Sequence, residues 1–156
     1  LPVKPSPNLP NYRAVRLYPS LCFFEATPLS VGRGTDFPFQ IVGYPNPAYG
    51  DFTFTPQPRE GASEPKLNGR KCYGVDLRNT AVPGKLELKY VLNFYNQWEE
   101  DKPFFSRERW FNLLAGNDTL IEKIRQGKTA AEIRNSWKKE LQAFKRTREK
   151  YLLYLD

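Results

Sequence analysis

The segment RNTAVPGKLELKYVLNFYNQW, residues 78–98, marks a change of character in the chain and decides the predicted fold class. Thirteen of the 14 prolines and eight of the 10 glycines lie in residues 1–84. Because proline fixes φ and removes a backbone donor, that half is predicted to form short strands, turns and ordered loops. From Leu88 onward, apolar side chains recur at helical spacing. We therefore predict an α+β fold: a small, mostly antiparallel sheet from about residues 20–80, covered by helices from about residues 85–150.

Upstream of this segment, the sequence predicts one helix and several strands. Asn11 is a suitable N-cap for a helix through Tyr18, which Pro19 would stop. Residues 56–69 are polar and turn-rich, so they are predicted to form a surface loop. The strand candidates combine apolar residues with alternation, and they are Leu21–Phe24, Phe37–Val42, Phe52–Thr55 and Cys72–Leu77.

Downstream, the sequence predicts helices almost throughout. Two short helices end at Gly116 and Gly127, and Thr129 with Glu132 forms a capping box for a last helix that reaches about Lys150. Residues 151–154 are aromatic and apolar, so we expect them to dock onto the fold. The residues predicted to form the core are apolar, and each lies on the apolar face of its predicted element. They are Leu21, Phe23, Phe39, Ile41, Val75, Leu88, Val91, Leu92, Leu114, Ile121, Ile133, Trp137, Leu141 and Phe144.

The charge distribution and the lengths of the apolar runs bear on two kinds of partner, nucleic acids and membranes. The net charge is +7, and residues 107–150 hold 12 Lys or Arg against 6 Asp or Glu. The aromatic side chains among these charges, Trp110, Trp137 and Phe144, fall on the apolar stripe, which predicts core residues and a solvated basic face rather than a nucleic-acid surface. No apolar run approaches the roughly 20 residues of a membrane span.

Composition also excludes several chemistries. Histidine is absent, which excludes a Ser-His-Asp triad, a Cys-His dyad and a histidine-ligated metal site. Cys22 and Cys72 form no CxxC motif, although one disulfide between them is possible. We predict no metal and no organic cofactor. A length of 156 residues predicts a single domain, residues 1–156, which divides near Pro83–Gly84. The chain begins at Leu1 and lacks methionine, so we expect a processed product or a fragment of a longer protein.

The segment FEATPLSVGRGTD, residues 24–36, carries the candidate chemistry. Glycines 32 and 34 allow a positive φ or a close approach to a ligand, and Arg33 between them offers a planar fork for a carboxylate. Glu25 either binds a ligand, pairs with Arg33 or caps a loop. The pattern is neither a dinucleotide fingerprint nor a Walker motif. From the residues alone, it indicates a polar loop beside a sheet, in which Gly32-Arg33-Gly34 either binds an anion or forms a turn.

Residues 17–45, LYPSLCFFEATPLSVGRGTDFPFQIVGYP, resemble the signature of the NamZ/YbbC family of exo-β-N-acetylmuramidases. Four further segments agree in order along the chain: the opening PSPN at residues 5–8, CYGV at 72–75, FNLLAGND at 111–118, and the ending from Glu132 to Tyr154. The resemblance implies that this chain is the C-terminal part of a longer two-domain protein, whose preceding Rossmann-like domain holds the catalytic carboxylate. It also implies a substrate that ends in N-acetylmuramic acid, whose lactyl carboxylate suits an arginine, and an exported or cell-envelope location.

The resemblance assigns substrate-binding roles to the residues of this chain that match the motif: Glu25, Ser30, Gly32, Arg33, Gly34 and Thr35. No catalytic residue is assigned, and Glu25 is the one candidate. Where the family commonly has Gly-Thr-Asn, this chain has Ala26, Thr27 and Pro28, so the family's contacts at these positions are in question. The segment is expected to line a cleft shared with the catalytic domain.

Three functions are compatible with these observations. The first is the ancillary, cleft-lining domain of a peptidoglycan-fragment glycoside hydrolase. The second is a non-catalytic carbohydrate or cell-wall binding module, with Phe37 or Tyr44 stacking on sugars. The third is a self-sufficient glycosidase that uses Glu25 and Asp36, since such enzymes commonly need two carboxylates. We expect the first.

Overall fold

The computed structural model describes residues 2–82 and 84–154 and confirms the predicted α+β fold. Pro83, at the expected division of the chain, lies outside the described residues. Short 3₁₀ helices occupy Cys22–Ala26 and Pro47–Tyr49. The other elements, in chain order, are α1 (Tyr12–Leu21), β1 (Ile41–Tyr44), β2 (Phe52–Phe54), β3 (Cys72–Asp76), α2 (Lys89–Asn96), α3 (Glu108–Ala115), α4 (Thr119–Arg125) and α5 (Ala130–Glu149).

The three strands form one antiparallel sheet in the order β1-β3-β2. Val42 of β1 lies opposite Val75, and Thr53 of β2 lies opposite Tyr73. The two later strand predictions are therefore confirmed. The sheet is extended at the β1 edge by Ser30, whose backbone exchanges hydrogen bonds of 2.9 and 3.0 Å with Gly43. This bridge attaches the loop that carries the candidate chemistry directly to the sheet.

Strand β1 begins later than the alternation at residues 37–42 predicts. Phe39 has φ +55°, a left-handed conformation that no strand residue adopts, and its N–H donates to Val31 O at 2.7 Å. The Gln40 N–H donates to Phe37 O, which closes a turn. Phe39 is nevertheless buried, with its ring edge against Tyr18. The alternation therefore reflects burial in a turn, and pairing starts only at Ile41.

Helix α1 confirms the predicted cap but not the predicted stop. The Asn11 side chain accepts from Ala14 N, while Pro19 lies inside the helix, which continues to Leu21. Proline removes only its own N–H, and the Cys22 N–H still donates to Tyr18 O one turn later. The predicted strand at residues 21–24 is wrong, because this apolar run ends α1 and continues as a 3₁₀ helix.

The main core joins the 3₁₀ helix Cys22–Ala26 to the helices through aromatic contacts. Phe23 stacks on Phe111 of α3 with ring centroids 5.2 Å apart, and Phe111 meets Phe105 edge-on at 4.9 Å. Phe24 is fully buried against Phe94 of α2. A second, smaller cluster beside the sheet contains Ile41, Phe54 and Cys72. The predicted core is buried at Leu21, Phe23, Phe39, Ile41, Leu88, Val91, Leu92, Ile121 and Ile133, and partly buried at Val75, Leu114 and Trp137.

Helix α5 starts as predicted, but its apolar side chains become exposed earlier along the helix than predicted. Thr129 and Glu132 form the capping box, and Ile133 behind it is buried. Leu141 and Phe144 are 50% and 60% exposed, so their assignment to the core is wrong. Residues 151–154 are also exposed, and the expected docking of this tail is wrong. The apolar stripe continues along the helix, but no described segment packs over its second half.

No helix within residues 2–82 and 84–154 combines the length and the apolar character needed to cross a bilayer.

Candidate functional site

The backbone of the Gly32–Thr35 segment is fixed by close contacts. Gly32 has φ +78°, and a Cβ built there would lie 2.5 Å from Ile41 Cγ1 and 2.7 Å from Phe37 O. Gly34 has φ +85°, and its Cβ would lie 2.6 Å from Pro65 Cβ. Both positions therefore require glycine for conformation and for space. The two glycines hold the backbone of Arg33 between the sheet and the loop at residues 56–69.

The hydroxyl groups of this segment bond within the segment itself. Ser30 is buried, and its Oγ accepts from Gly32 N at 3.2 Å. The Thr35 hydroxyl donates to Gly32 O at 2.7 Å and accepts from Phe37 N at 3.0 Å. These bonds close two short turns on either side of Arg33. Ser30 and Thr35 thus act on the shape of the loop.

Arg33 and Glu25 form an ion pair at the mouth of a cavity. Arg33 Nη1 donates to Glu25 Oε1 at 3.1 Å, and Nη2 donates to Gly61 O at 3.2 Å. The side chains are 42% and 21% exposed, so the pair contributes at most about 1 kcal/mol to stability. Its structural effect is to link the 3₁₀ helix, the glycine loop and the loop at residues 56–69. Of the roles predicted for Glu25, the structure shows the ion pair with Arg33.

The cavity beside this pair has a volume of about 320 Å³, which lies within the range of small-ligand sites. One side is formed by the loop that contains the predicted motif, and the other by the loop at residues 56–69 and the start of α3. The lining residues are Glu25, Leu29, Ser30, Val31, Arg33, Ala62, Glu64, Pro65, Lys66, Arg107 and Trp110.

Lys66 lines the cavity and binds the backbone of the 3₁₀ helix Cys22–Ala26 and of the residue that follows it. Its ammonium donates to Phe24 O at 3.0 Å and also to Thr27 O. Although the residue as a whole is exposed, the ammonium is enclosed by these carbonyl groups, and this burial lowers the pKa of Lys66 to about 8. Glu25 opposes this effect, whereas Arg107 and Arg33 add to it. At pH 7 most of the Lys66 side chains therefore remain protonated.

Arg107 and Trp110 form the opposite wall. The N–H of Arg107 donates to Ala26 O at 3.2 Å, and the Ser106 hydroxyl donates to the same oxygen at 3.3 Å. These bonds fix the beginning of α3 against the 3₁₀ helix, 80 residues away in sequence. The Arg107 guanidinium lies over the indole of Trp110, 5.6 Å from the ring centroid. Trp110 remains 41% exposed.

The side chains around the cavity give it a small positive excess. Arg33, Lys66 and Arg107 face two carboxylates, Glu25 and Glu64. The apolar residues Leu29 and Val31 supply the remaining wall of the motif loop. A cavity that combines cations, apolar surface and an exposed indole suits a small ligand that carries an acidic group.

The structure brings together three of the six predicted binding residues in this cavity. Glu25, Ser30 and Arg33 line it, whereas Gly32, Gly34 and Thr35 shape the loop behind it. Asp36 lies elsewhere: it pairs with Arg59 at 2.6 Å and lines a separate pocket with Thr35. Glu25 and Asp36 therefore do not face one ligand, and the two-carboxylate arrangement of a self-sufficient glycosidase is not found for these residues.

The aromatic residues differ from their predicted roles. Tyr44 is 7% exposed and packs against Trp98, so it offers no free face to a sugar. The ring of Phe37 is half-buried and lies under the guanidinium of Arg78, 4.1 Å from its centroid. Trp110, assigned to the core from the sequence, is the exposed ring beside the cavity, and that assignment is wrong.

Lys66, Arg107 and Trp110 are among the cavity residues that the sequence does not assign to the site. They lie 30 to 74 positions beyond the end of the motif loop at Asp36, so no local pattern connects them. One signal exists for Trp110: with Leu113 it falls on a different face of α3 from Phe111, which is buried. A helical turn with two apolar faces indicates that one of them is exposed.

The remaining groups able to bind metals or react as nucleophiles are dispersed or buried. Among the described residues, no three His, Cys, Asp or Glu side chains lie close enough together to hold a metal ion. Cys22 and Cys72 are buried free thiols, and burial raises the pKa of each to about 11.

Comparisons with known proteins identify relatives over the whole chain. The family model described as "Exo-beta-N-acetylmuramidase NamZ, C-terminal" matches residues 16–154. The peptidoglycan beta-N-acetylmuramidase NamZ of Bacillus subtilis (strain 168) is 32% identical over 97% of this chain and 40% of its own length.

Two crystal structures of DUF1343 family proteins from Bacteroides fragilis NCTC 9343 share the fold. One has a TM-score of 0.92 and 42% identity, and the match covers all of this chain and 45% of that protein. The other, at 18% identity, has a TM-score of 0.71 over 98% of this chain and 45% of that protein. The chain thus spans less than half the length of these relatives. On the strength of the family match over residues 16–154, the chain belongs to the family of NamZ C-terminal domains.

Proposed function

We propose that this chain forms one wall of the substrate cleft of a peptidoglycan-directed exo-β-N-acetylmuramidase. The cavity beside Glu25 and Arg33 faces the sugar, and the complete protein releases a terminal N-acetylmuramic acid. The observation that carries the proposal is the position of the cavity. It is lined by the segment whose sequence resembles the family motif, and Glu25, Ser30 and Arg33 of that segment contribute to its wall.

The chain supplies binding surface, and the reacting carboxylates belong to a preceding Rossmann-like domain. Two observations support this division. The relatives are more than twice as long as the match, which leaves room for another domain in the complete protein. Glu25 is engaged by Arg33 at 3.1 Å, and Asp36, the second predicted carboxylate, pairs with Arg59 in another pocket. Glu25 therefore serves to hold Arg33 and the loop in place.

The test compares two arginine–carboxylate pairs in the complete protein. Arg33→Ala removes the pair beside the cavity, and Arg59→Ala removes the comparable exposed pair with Asp36. With a disaccharide that ends in N-acetylmuramic acid, we expect Arg33→Ala to lower kcat/KM by about tenfold or more, because the wall of the cleft loses its anchor. Arg59→Ala should leave kcat/KM within about twofold.

The release of free sugar is followed together with KM. If Arg33→Ala leaves both turnover and KM unchanged, the cleft-lining role is wrong. If the complete protein releases no sugar from any muramic-acid-terminated fragment, the proposed activity itself is wrong.

A non-catalytic carbohydrate module is the second candidate, and the exposed ring of Trp110 favours it. Such a module would bind the same disaccharide with the same dependence on the cavity but release nothing. The release assay therefore distinguishes the two functions. Binding without release in the complete protein would support the module.

The proposed substrate is part of the cell envelope, so we propose an exported location for the complete protein. Fractionation of the source cells should find the protein outside the cytoplasm. Recovery only with cytoplasmic markers would contradict this location.

A further inference from the structure

The charge of Arg33 is already compensated within the chain. Its Nη1 donates to Glu25 and its Nη2 to the Gly61 carbonyl, and both partners lie in the fixed loops around the cavity. A substrate carboxylate that replaced Glu25 would leave that acid without its partner in a half-buried position, which is costly. The predicted carboxylate fork is therefore occupied by the protein itself.

Arg107 presents the opposite case. Within residues 2–82 and 84–154, its guanidinium has no ion pair and no side-chain hydrogen bond, and its contact is the face of Trp110. Its backbone is held firmly, because its N–H binds Ala26 O and Phe111 behind it is fully buried. A positioned arginine with unused donors is suited to bind a carboxylate in two-pronged geometry.

The indole ring of Trp110 offers a second contact surface for a ligand bound at Arg107. The guanidinium of Arg107 lies over one side of this ring, and Trp110, which remains 41% exposed, lines the same cavity and also borders an adjoining surface groove with Leu113. The C–H edges of a sugar ring carry a partial positive charge, which is attracted to the negative face of an aromatic ring. The indole and the guanidinium together thus match a sugar that carries a carboxylate on a short arm.

We propose that Arg107 and Trp110 form the acidic-sugar subsite of this cleft wall, in which Arg107 binds the carboxylate and Trp110 stacks on the ring. The assignment rests on the proposed function for its substrate class. Arg33 and Glu25 then define the shape of the wall, and Lys66 holds its floor. Selectivity for the acid over a neutral analogue resides in Arg107.

The experiment uses the complete protein and two disaccharides, one with a free lactyl carboxylate and one with that carboxyl group converted to a methyl amide. Arg107→Gln should raise KM for the acid by about tenfold or more, because a charge-assisted hydrogen bond is lost, and should leave the amide within about twofold. Arg107→Lys should retain part of the preference for the acid. Trp110→Ala should weaken both substrates equally, and Trp110→Phe should retain most of the affinity.

Arg146→Gln, which removes the same charge from the exposed face of α5, serves as the control and should change neither substrate. Circular dichroism of each variant verifies folding, which Arg107→Gln should preserve because its side chain is exposed. The subsite is wrong if Arg107→Gln affects the two disaccharides equally, or if the unsubstituted protein does not prefer the acid. In both cases sugar release by the unsubstituted protein leaves the proposed function standing. Absence of release from both disaccharides overturns the proposed function and the subsite together.

Discussion

The loop at residues 24–36 and the end of the chain at residues 138–154 have similarly rich sequence patterns and opposite structural outcomes. In the loop, polar groups are bonded internally: Lys66 binds the carbonyl groups of Phe24 and Thr27, and Ala26 O accepts two hydrogen bonds. In the tail, helical spacing is maintained, but the apolar side chains remain exposed.

The difference separates two kinds of information in a sequence. A capping box and a helical period are local, and they specify that α5 forms and where it begins. Burial requires a partner surface, which is supplied by distant residues. The loop obtains its partners from residues 61–66 and 106–107, whereas the second half of α5 has none among the described residues. Substitutions in the loop should therefore be far more costly than comparable substitutions in the tail.

The largest effect is expected at Gly32. Gly32→Ala places a Cβ within 2.7 Å of Ile41 and the Phe37 carbonyl at φ +78°, and the sheet edge has to move to accommodate it. We expect a loss of about 2–4 kcal/mol in the free energy of unfolding, measured by urea denaturation.

The matched control is Gly127, which precedes α5. Its φ is +69°, but a Cβ there would meet no atom within 4 Å. Gly127→Ala should therefore cost only the conformational penalty of about 1–2 kcal/mol. Equal losses at the two positions would mean that the loop is no more tightly packed than the beginning of the tail.

An intermediate effect is expected at Thr27, a buried threonine in the loop. Its hydroxyl donates to Phe24 O at 2.9 Å and accepts from Leu29 N at 3.3 Å. Thr27→Val leaves that buried N–H without its acceptor, so we expect a loss of about 1–3 kcal/mol in urea denaturation. Thr147→Val removes an exposed hydroxyl from α5 and should change stability by less than about 0.5 kcal/mol. A larger effect at Thr147 than at Thr27 would reverse the comparison.

The smallest effect is expected on the apolar stripe of the tail. Phe144→Ser replaces a side chain that is 60% exposed, and the melting curve should shift by the equivalent of about 0.5 kcal/mol or less. Ile133→Ala, on the buried part of the same stripe, should cost about 2–5 kcal/mol. A loss above 1 kcal/mol at Phe144 would show that the stripe is covered by a surface beyond the described fold.

The fold could be predicted wherever a local signal had a single structural solution. Asn11 and Thr129 cap helices because their side chains satisfy backbone donors in the first turn, and both were recognised. The run at residues 21–24 predicts a strand but forms a helical turn, since a short apolar run is compatible with either structure. Phe39 combines a positive φ with a long-range ring contact to Tyr18, and alternation in the sequence encodes neither.

The part of the site that can be predicted from the sequence lies within residues 24–36. The pairing of Glu25 with Arg33 spans eight residues and follows from the loop itself. Lys66 and Arg107 reach the cavity only through the tertiary fold, and their charges resembled ordinary surface charges in the sequence. The apolar stripe predicts a core position for Trp110, whereas its neighbour Phe111 is the buried residue of α3. Long-range assembly, rather than weak motif signals, explains these omissions.

The two buried thiols allow local opening of the fold to be followed by chemical modification, without any substitution. Cys72 lies in the small cluster with Ile41 and Phe54, and Cys22 lies at the junction of α1 with the 3₁₀ helix. Their raised pKa, about 11 in each case, keeps them unreactive while they are enclosed. A thiol reagent therefore modifies Cys72 only when the sheet opens, and Cys22 only when the helical junction opens. Different modification rates at the two thiols, read by mass spectrometry in the unsubstituted protein, would show that the sheet and the helical junction open separately.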